Sequence, residues 1–367
     1  MDGLFEKIDF NVEFIDEISL IKNDQNKIRV YGAGSLAFDI INRLEHAGIE
    51  VDCAFVDDEY YRDGMQVAGK SVVNTKTALL SECSVVVAIE NYFVGRDIEK
   101  YSKVKSVYYI LNPAYDIDYT RILSKRDMLS NKKDFESVYM RLADDVSRKS
   151  MLSFIEACLS GNARKVFKSY RGEQNFFNND IYKAEAYDNL VDIGAYTGDT
   201  LLQYFECVKG NMGKVWAIEG DDAFIGRLRN LIDSRFKDFD IELIHCILGS
   251  ESGYAKLKAV NDNPQENEVF IEKGKTGKEI KMLDSILQNR KDHAGIMKIN
   301  FPNPLVVLKG ARQVITEDHP KLGVIVGYDG LDCIRVPLYV WSLDDRYKVY
   351  FRYMKAFPQK LTMFAIC

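Results

Sequence analysis

The sequence lacks the features that mark several common classes of protein. Its 367 residues contain no run of Lys or Arg and carry a formal net charge of −6, so no nucleic-acid partner is predicted. No apolar run reaches the length of a membrane-spanning helix. The first ten residues, MDGLFEKIDF, lack the basic and apolar regions of a signal peptide. These absences predict a soluble, cytoplasmic protein without a membrane span.

Metal sites and disulfide frameworks are not predicted either. Seven cysteines are scattered along the chain without a CxxC pair, and their odd number favours reduced thiols. Four histidines show no spacing typical of metal ligands. We therefore expect no metal site. The oligomeric state stays open, and a homo-oligomer is compatible with the sequence.

Strand and helix patterns alternate in the first part of the chain. The stretch KIRVYGAGS predicts a strand over residues 27–31 that ends in a glycine turn, followed by an amphipathic helix over residues 36–46. One or two helices are expected within residues 4–22. Further strands are predicted at residues 51–56, 84–89 and 107–111. This alternation indicates a Rossmann-like domain with a parallel, doubly wound sheet, over residues 1–119.

The rest of the chain predicts a helical connector and a second α/β domain. Residues 120–170 are charged, poor in glycine and periodic, which is typical of helices. From residue 171 to residue 367 the strand and helix pattern resumes. Strands are predicted at residues 189–193, 214–219, 241–246, 295–300, 322–327, 347–353 and 361–366. The last two leave no room for a crossover helix and should form an antiparallel hairpin, as in the class I methyltransferase fold.

The first glycine turn, VYGAGSLAFDI, has the GxGxxA spacing of dinucleotide-binding loops. Gly32, Gly34 and Ser35 could contact a phosphate, and Asp57 after the second strand could hold a ribose hydroxyl. Because this turn is common, a Rossmann-like domain that binds a sugar nucleotide, another small ligand or nothing is favoured over an NAD site. Residues 27–112, with the run FVDDEYYRDGMQVAGKSVV, resemble the nucleotide-sugar-binding domains of certain sugar acyltransferases.

The second glycine turn, LVDIGAYTGDT, favours a different ligand. Its D-x-G-x-x-x-G spacing, starting at Asp192, suits the methionine end of S-adenosylmethionine better than a pyrophosphate. The next strand, KVWAIE, ends in Glu219, which is placed to accept hydrogen bonds from both ribose hydroxyls.

Residues 135–367 resemble the FkbM-type methyltransferases. The matching segments are LADDVSRKSML, NFFNNDI, VDIGAYTGDT, AIEGDD, MLDSIL, VVLKGARQVITEDHPKLGVIV and YKVYFRYM. The resemblance implies methyl transfer from S-adenosylmethionine to a hydroxyl of a sugar or related small molecule. It implies that the cofactor contacts Gly194, Ala195, Tyr196, Gly198, Asp199 and Thr200, that Glu219 holds the ribose, and that Asp221 or Asp222 lines the entrance.

The acceptor half departs from the family pattern. Where the family reads K-x-D-x-E-G-A-E, this chain reads KINFPNPL over residues 298–305, so three acidic positions are lost. The remaining candidates for proton transfer are Asp329, Tyr328, His245 and Asn300, although Asn300 cannot take a proton. For Asp329, the Asp-Gly pair favours a turn residue over a base. For His245, a packed side chain beside the cofactor is favoured over a base.

Three hypotheses follow from these patterns. The first is an active S-adenosylmethionine-dependent methyltransferase that acts on a sugar, nucleotide-sugar or glycan hydroxyl. The second is a catalytically inactive descendant that binds ligand or organises glycan assembly. The third is an NAD(P)-dependent oxidoreductase that uses the first glycine turn.

Overall fold

The computed structural model describes residues 3–112, 122–172, 174–256, 272–274 and 277–367. The chain divides into two compact units. Unit 1 comprises Met1–Lys132, Lys149–Gly172 and Lys355–Lys360, and unit 2 comprises Lys133–Arg148, Glu173–Met354 and Leu361–Cys367. The predicted end of the first domain, near Pro113 to residue 119, lies outside the described residues. Among the described residues, no helix is both long and apolar enough to cross a bilayer.

Unit 1 is built on a six-stranded sheet. Its helices and strands are α1 Glu17–Lys22, β1 Ile28–Tyr31, α2 Ser35–His46, β2 Val51–Val56, β3 Gln66–Val67, β4 Lys70–Asn74, α3 Thr75–Ala78, β5 Cys83–Val87, α4 Gly95–Ile98, β6 Val104–Tyr108 and α5 Lys125–Ser130. In its described part, this unit also has 3-10 helices at Tyr92–Val94, Ala163–Lys168 and Pro358–Lys360. The strand order is β3-β4-β2-β1-β5-β6.

The parallel core of unit 1 follows from its apolar pattern. β1 pairs in parallel with both β2 and β5, and every residue of β1 and β5 is buried. The helix α2 buries Ala37, Ile40, Ile41 and Leu44, the spacing of one helix face. The strands β3 and β4 pair antiparallel, with Val67 opposite Lys70, and form a tight hairpin at the edge of the sheet. Of residues 4–22, all of which are described and where one or two helices are predicted, only Glu17–Lys22 is α-helical.

Unit 2 contains a seven-stranded sheet. Its helices and strands are α6 Lys132–Arg141, α7 Asp145–Ser160, β7 Leu190–Ile193, α8 Asp199–Cys207, β8 Val215–Glu219, α9 Asp222–Arg235, β9 Ile241–His245, β10 Ile247–Leu248, β11 Gly253–Lys256, β12 Glu272–Gly274, β13 Lys278–Lys281, α10 Leu283–Ile286, β14 Ile296–Ile299, α11 Pro304–Lys309, α12 Arg312–Asp318, β15 Lys321–Ile325, α13 Asp332–Leu343, β16 Lys348–Tyr353 and β17 Leu361–Ile366. The first residue of α6 and residues 149–160 of α7 are assigned to unit 1.

The large sheet has the order β16-β17-β15-β14-β7-β8-β9. β17 pairs antiparallel with β15 and β16, while the other neighbours are parallel. This is the class I methyltransferase arrangement with its antiparallel hairpin, as the sequence predicts. The chain moves outwards from β7 to β9 and then returns to β14 on the opposite side. The carboxyl ends of β7 and β14 therefore meet at a topological switch point, where α/β sheets place ligands.

A second sheet of unit 2 has no counterpart in the sequence-based predictions. It consists of four short strands in the order β10-β13-β11-β12, and they lie between β9 and β14 in the chain. These strands have two to four residues each and include charged side chains, so they lack the apolar run or alternation by which a strand is recognised.

Candidate functional site

The loop after β7 has a backbone shape that depends on glycine. Gly194 and Gly198 have φ values of +70° and +90°, and between them Tyr196 also has a positive φ of +53°. A Cβ atom at Gly194 would collide with the carbonyl oxygen of Asn300, and one at Gly198 would collide with the side chain of Leu231. The loop is therefore closely packed against the end of β14 and against α9, and it leads into the first turn of α8.

The predicted loop residues surround the start of α8. Ala195 is buried directly after Gly194, and Asp199 and Thr200 are the first two residues of the helix. The ring of Tyr196 lies 4.0 Å, centroid to centroid, from the ring of Phe224 in α9. Backbone N–H groups at the start of a helix have no partner within it, so this turn offers donors to an anionic group.

Glu219, at the carboxyl end of β8, holds the loop from its other side. Its side chain accepts hydrogen bonds from the backbone N–H groups of Tyr196 and Asp221, each at 2.8 Å. Glu219 is only 8% exposed, and this burial raises its pKa, although the two backbone bonds act to lower it. Each carboxylate oxygen receives one of these bonds and keeps acceptor capacity. The side chain can therefore still accept the two hydroxyls of a ribose.

A buried ion pair lies under the same loop. Lys298 Nζ of β14 is 2.8 Å from Asp192 Oδ1 of β7 and donates to the carbonyl oxygen of Gly194 at 2.7 Å. The side chains of Lys298 and Asp192 are 3% and 0% exposed. Burial raises the pKa of Asp192, and the Lys298 ammonium opposes that rise. The sequence-based site included Asp192 but missed Lys298, whose signal is a lone charge within the apolar strand IMKI.

The four predicted proton-transfer candidates occupy three separate places. The hydroxyl of Tyr328 donates to Asn300 Oδ1 at 2.9 Å, which links the loops after β15 and β14. Asp329 accepts the backbone N–H of Leu331 and pairs with Arg335 at 3.3 Å, so it has the turn role that the sequence favours. The structure thus joins Asn300 to Tyr328 and gives Asp329 other partners.

His245 lies at the end of β9, where its register partner in β8 is Glu219. Its Nε2 is 3.1 Å from Asp222 Oδ1, and Lys278 Nζ is 3.0 Å from Asp222 Oδ2. His245 is therefore placed on the Glu219 side of the site. Asp221 caps α9 by accepting the backbone N–H of Ala223 at 2.8 Å.

Asp332, which the sequence-based reasoning missed, is the first residue of α13. It is 4% exposed, and its carboxyl receives no hydrogen bond from the described residues. Burial raises its pKa to about 7, with a further contribution from the charge of Asp329. The only signal in the sequence is an aspartate three residues after Asp329 in YDGLDCI. It follows β15, whose carboxyl end lies at the same edge as those of β14 and β7.

The second of the two prolines after β14 starts a helix. Pro304 is the first residue of α11, where a missing N–H is tolerated, and the Asn303 side chain caps the same helix. The three positions that are acidic in the family pattern thus belong to a short turn and to the first residues of α11.

The first glycine turn, in unit 1, contains one glycine that the fold requires and one that it does not. Gly32 has a φ of +133°, and a Cβ atom there would collide with the carbonyl oxygen of Ala88. Gly34 has a φ of −90° and open space where a Cβ would lie, and Ser35 follows as the first residue of α2. Asp57 accepts the hydroxyls of Tyr31 at 2.7 Å and Thr75 at 3.1 Å.

Comparison with solved structures identifies the fold. A crystal structure of methyltransferase FkbM from Methylobacillus flagellatus aligns over 98% of this chain and 96% of that chain, with a TM-score of 0.61. The chain has the fold of an FkbM methyltransferase. At 18% identity this likeness concerns the fold, and it confirms the resemblance predicted from the sequence.

Two further structures match with lower scores. Aeropyrum pernix fibrillarin, in complex with natively bound S-adenosyl-L-methionine, matches with a TM-score of 0.32 and 10% identity, over 50% of this chain and 67% of that chain. The pyocyanin biosynthetic protein PhzM matches with a TM-score of 0.28 and 12% identity, over 65% of this chain and 63% of that chain. No protein-family model matches the sequence, and a search of curated proteins finds no match.

Proposed function

We propose that unit 2 binds S-adenosylmethionine and transfers its methyl group to a hydroxyl of a sugar or nucleotide sugar. The observation that carries this proposal is the glycine loop after β7, joined to Glu219 by the Tyr196 N–H at 2.8 Å and set at the switch point of a methyltransferase fold. The residues present fit the cofactor, because the loop offers helix N–H donors and Glu219 retains acceptor capacity.

In this proposal different residues bind different parts of the cofactor. Gly194 to Gly198 and the first turn of α8 receive the methionine end, and Glu219 accepts the ribose hydroxyls. His245 lies beside Glu219 on the neighbouring strand and would border the adenine. The bound cofactor supplies an electrophilic methyl group on a sulfonium. The protein then has to align an acceptor oxygen with that methyl group and remove the acceptor's proton.

We assign proton removal to Asp332 and acceptor positioning to the Tyr328–Asn300 pair. Support for Asp332 comes from its burial, its lack of a hydrogen-bond donor among the described residues, and a pKa of about 7. A base with a pKa near the working pH combines ionisation with proton affinity. The Tyr328–Asn300 hydrogen bond supports a fixed polar surface at the neighbouring strand end. Asp332 would thus take over from the carboxylates lost after β14.

For unit 1 we propose a nucleotide-sugar ligand at Gly32, Gly34, Ser35 and Asp57. The support is Gly34, since neither its φ nor its surroundings require a glycine in the fold. A glycine at the start of a helix leaves room for a ligand to approach the backbone closely.

The first test is calorimetry of the intact protein with S-adenosylmethionine and S-adenosylhomocysteine. We expect binding to both, and a loss of at least about tenfold in affinity for Glu219→Gln, which removes a charge-assisted acceptor. Glu242→Gln is the matched control, because Glu242 is an exposed residue of β9. Absence of binding to either compound would refute the cofactor assignment.

The second test uses S-adenosylmethionine labelled in the methyl group, with a panel of sugar nucleotides and a glycan extract as acceptors. We expect label transfer by the wild-type protein and a loss of about 100-fold or more for Asp332→Asn. Cofactor affinity should stay at the wild-type level in this variant. Cofactor binding without transfer to any acceptor would favour the catalytically inactive alternative.

A further inference from the structure

Three residues that commonly bind metal ions converge at one place in unit 2. His319 directly follows α12, Asp344 directly follows α13, and Cys367 directly follows β17. One potential ligand atom from each, a ring nitrogen of the histidine, a carboxylate oxygen and the cysteine Sγ, all lie within 4.8 Å of one another. They are far apart in the sequence and are brought together by the ends of three different elements, so no spacing motif could reveal them.

Two of the three ligand separations fit a tetrahedral ion. Asp344 Oδ2 is 3.1 Å from His319 Nδ1 and 3.8 Å from Cys367 Sγ. With metal–ligand bonds of about 2.0–2.3 Å, the ligand atoms around a tetrahedral zinc ion lie roughly 3.3–3.7 Å apart. Both observed separations come within a few tenths of an ångström of that range. An imidazole, a carboxylate and a thiolate are also the three ligand types that zinc uses.

His319 provides the second, independent observation. Its Nδ1 atom is buried and makes no hydrogen bond with any described residue, although Asp344 Oδ2 is only 3.1 Å away. The contact therefore does not have hydrogen-bond geometry. The residue also has a left-handed backbone conformation with a φ of +47°, which sets the direction of its Cα–Cβ bond. A buried ring nitrogen without a donor or acceptor is costly unless something else occupies its lone pair.

Arg346 competes for the same carboxylate. Its guanidinium lies 2.6 Å from Asp344 Oδ2, and its Nε lies 3.0 Å from Oδ1. The backbone N–H of Arg346 also donates to Oδ1 at 3.0 Å, so Arg346 contacts both oxygens of the carboxylate. A metal ion at Oδ2 would have to displace part of this pairing, and Arg346 is 64% exposed and free to swing into solvent.

We propose that His319, Asp344 and Cys367 form a binding site for a borderline-soft divalent metal ion, with zinc as the best fit. The imidazole Nδ1, the carboxylate Oδ2 and the Cys367 thiolate are the three protein ligands, and the fourth position is open to water. Binding releases the thiol proton of Cys367 to solvent, so affinity rises with pH. The ion would tie the ends of α12, α13 and β17 together, and this role is independent of methyl transfer.

The experiment is a titration of the untagged, reduced, metal-free protein with Co²⁺, followed by visible absorption and then by displacement with Zn²⁺. We expect one ion per chain with a thiolate-to-cobalt charge-transfer band. Cys367→Ser should abolish that band, and His319→Gln should weaken binding at least about tenfold. Cys207→Ser is the matched control, since Cys207 is a partly exposed thiol elsewhere in unit 2 and should change nothing.

Arg346→Met separates a built site from binding by a lone thiol. Because this variant removes the competing cation from Asp344, it should tighten cobalt binding several-fold, whereas a thiol acting alone would not respond. Circular dichroism of each variant checks that it is folded. Absence of stoichiometric cobalt binding, or binding that neither His319→Gln nor Arg346→Met changes, would overturn the proposal.

Discussion

Replacing Lys298 by methionine should destabilise unit 2 strongly at neutral pH. The substitution keeps most of the length of the side chain but removes the Lys298 ammonium, which within the described part of the chain is the cation hydrogen-bonded to Asp192, a carboxylate with 0% exposure. The second oxygen of Asp192, Oδ2, has no hydrogen-bond partner among the described residues. Breaking a buried pair on one side costs about 3–5 kcal/mol because the remaining charge is left uncompensated.

A second estimate of the stability lost in Lys298→Met gives the same magnitude. Asp192 can avoid a buried charge by taking up a proton, and at pH 7 that costs about 4 kcal/mol for a group whose unfolded pKa is about 3.9. The sign of the pH dependence follows from this. The folded pKa of Asp192 is already raised and would rise further without Lys298, so folded protein binds more protons than unfolded protein above about pH 4. The variant should therefore lose stability as pH increases from about 4 to 7.

The assay is urea unfolding followed by tryptophan fluorescence at pH 4.5 and pH 7. Both tryptophans of the chain, Trp216 in β8 and Trp341 in α13, belong to unit 2, so the signal reports on that unit. Lys309→Met, at an exposed position in α11, is the control and should change stability by less than about 1 kcal/mol.

Three results would contradict this reasoning. The first is a loss of less than about 1 kcal/mol for Lys298→Met at pH 7, since a solvated Asp192 would need no counter-ion. The second is an equal loss at pH 4.5 and pH 7. The third is an added pH dependence that persists in the double variant Asp192→Asn, Lys298→Met, since this variant carries neither of the two charges of the pair.

Further predictions concern the glycine loop, Asp332 and Glu219. Gly194→Ala should lower the free energy of unfolding by about 2–4 kcal/mol, because the residue has a positive φ and a Cβ atom would collide with Asn300. The control Gly226→Ala, within α9, should raise it by up to about 1 kcal/mol. Equal effects of the two substitutions in urea unfolding would contradict the close packing of the loop. Asp332→Asn should be more stable than wild type by roughly 2–4 kcal/mol at pH 8, and this difference should vanish near pH 4. The reason is that burial raises the pKa of Asp332 to about 7, so the folded wild-type protein carries a buried charge at pH 8. A stability difference that does not depend on pH would contradict the raised pKa. Glu219→Gln should weaken cofactor binding and also lower the free energy of unfolding by about 1–3 kcal/mol, because its amide nitrogen cannot accept the N–H of Tyr196 or Asp221 as the carboxylate oxygen does; calorimetry and urea unfolding measure the two effects.

Two features of the candidate site could be predicted from the sequence because they are local. A strand that ends in DIGAYTGDT requires positive φ values within a few residues, and glycines at positions 194 and 198 provide them. The acidic end of the next strand, Glu219, follows from the same strand–turn–helix order. The prediction that Asp329 belongs to a turn was also sound, since an Asp-Gly pair acts on its own backbone.

Other features depend on strand order and burial, which no local pattern encodes. Lys298 meets Asp192 because β14 returns to lie beside β7, 106 residues away in the chain. Asp332 has a raised pKa because α13 buries it, and the same aspartate in an exposed turn would titrate normally. The sequence by itself thus determined the strands, the turns and the residues that shape the cofactor loop. Only the tertiary structure decided which charges are buried and which distant side chains meet, because desolvation and pairing arise when separate segments exclude water from one another.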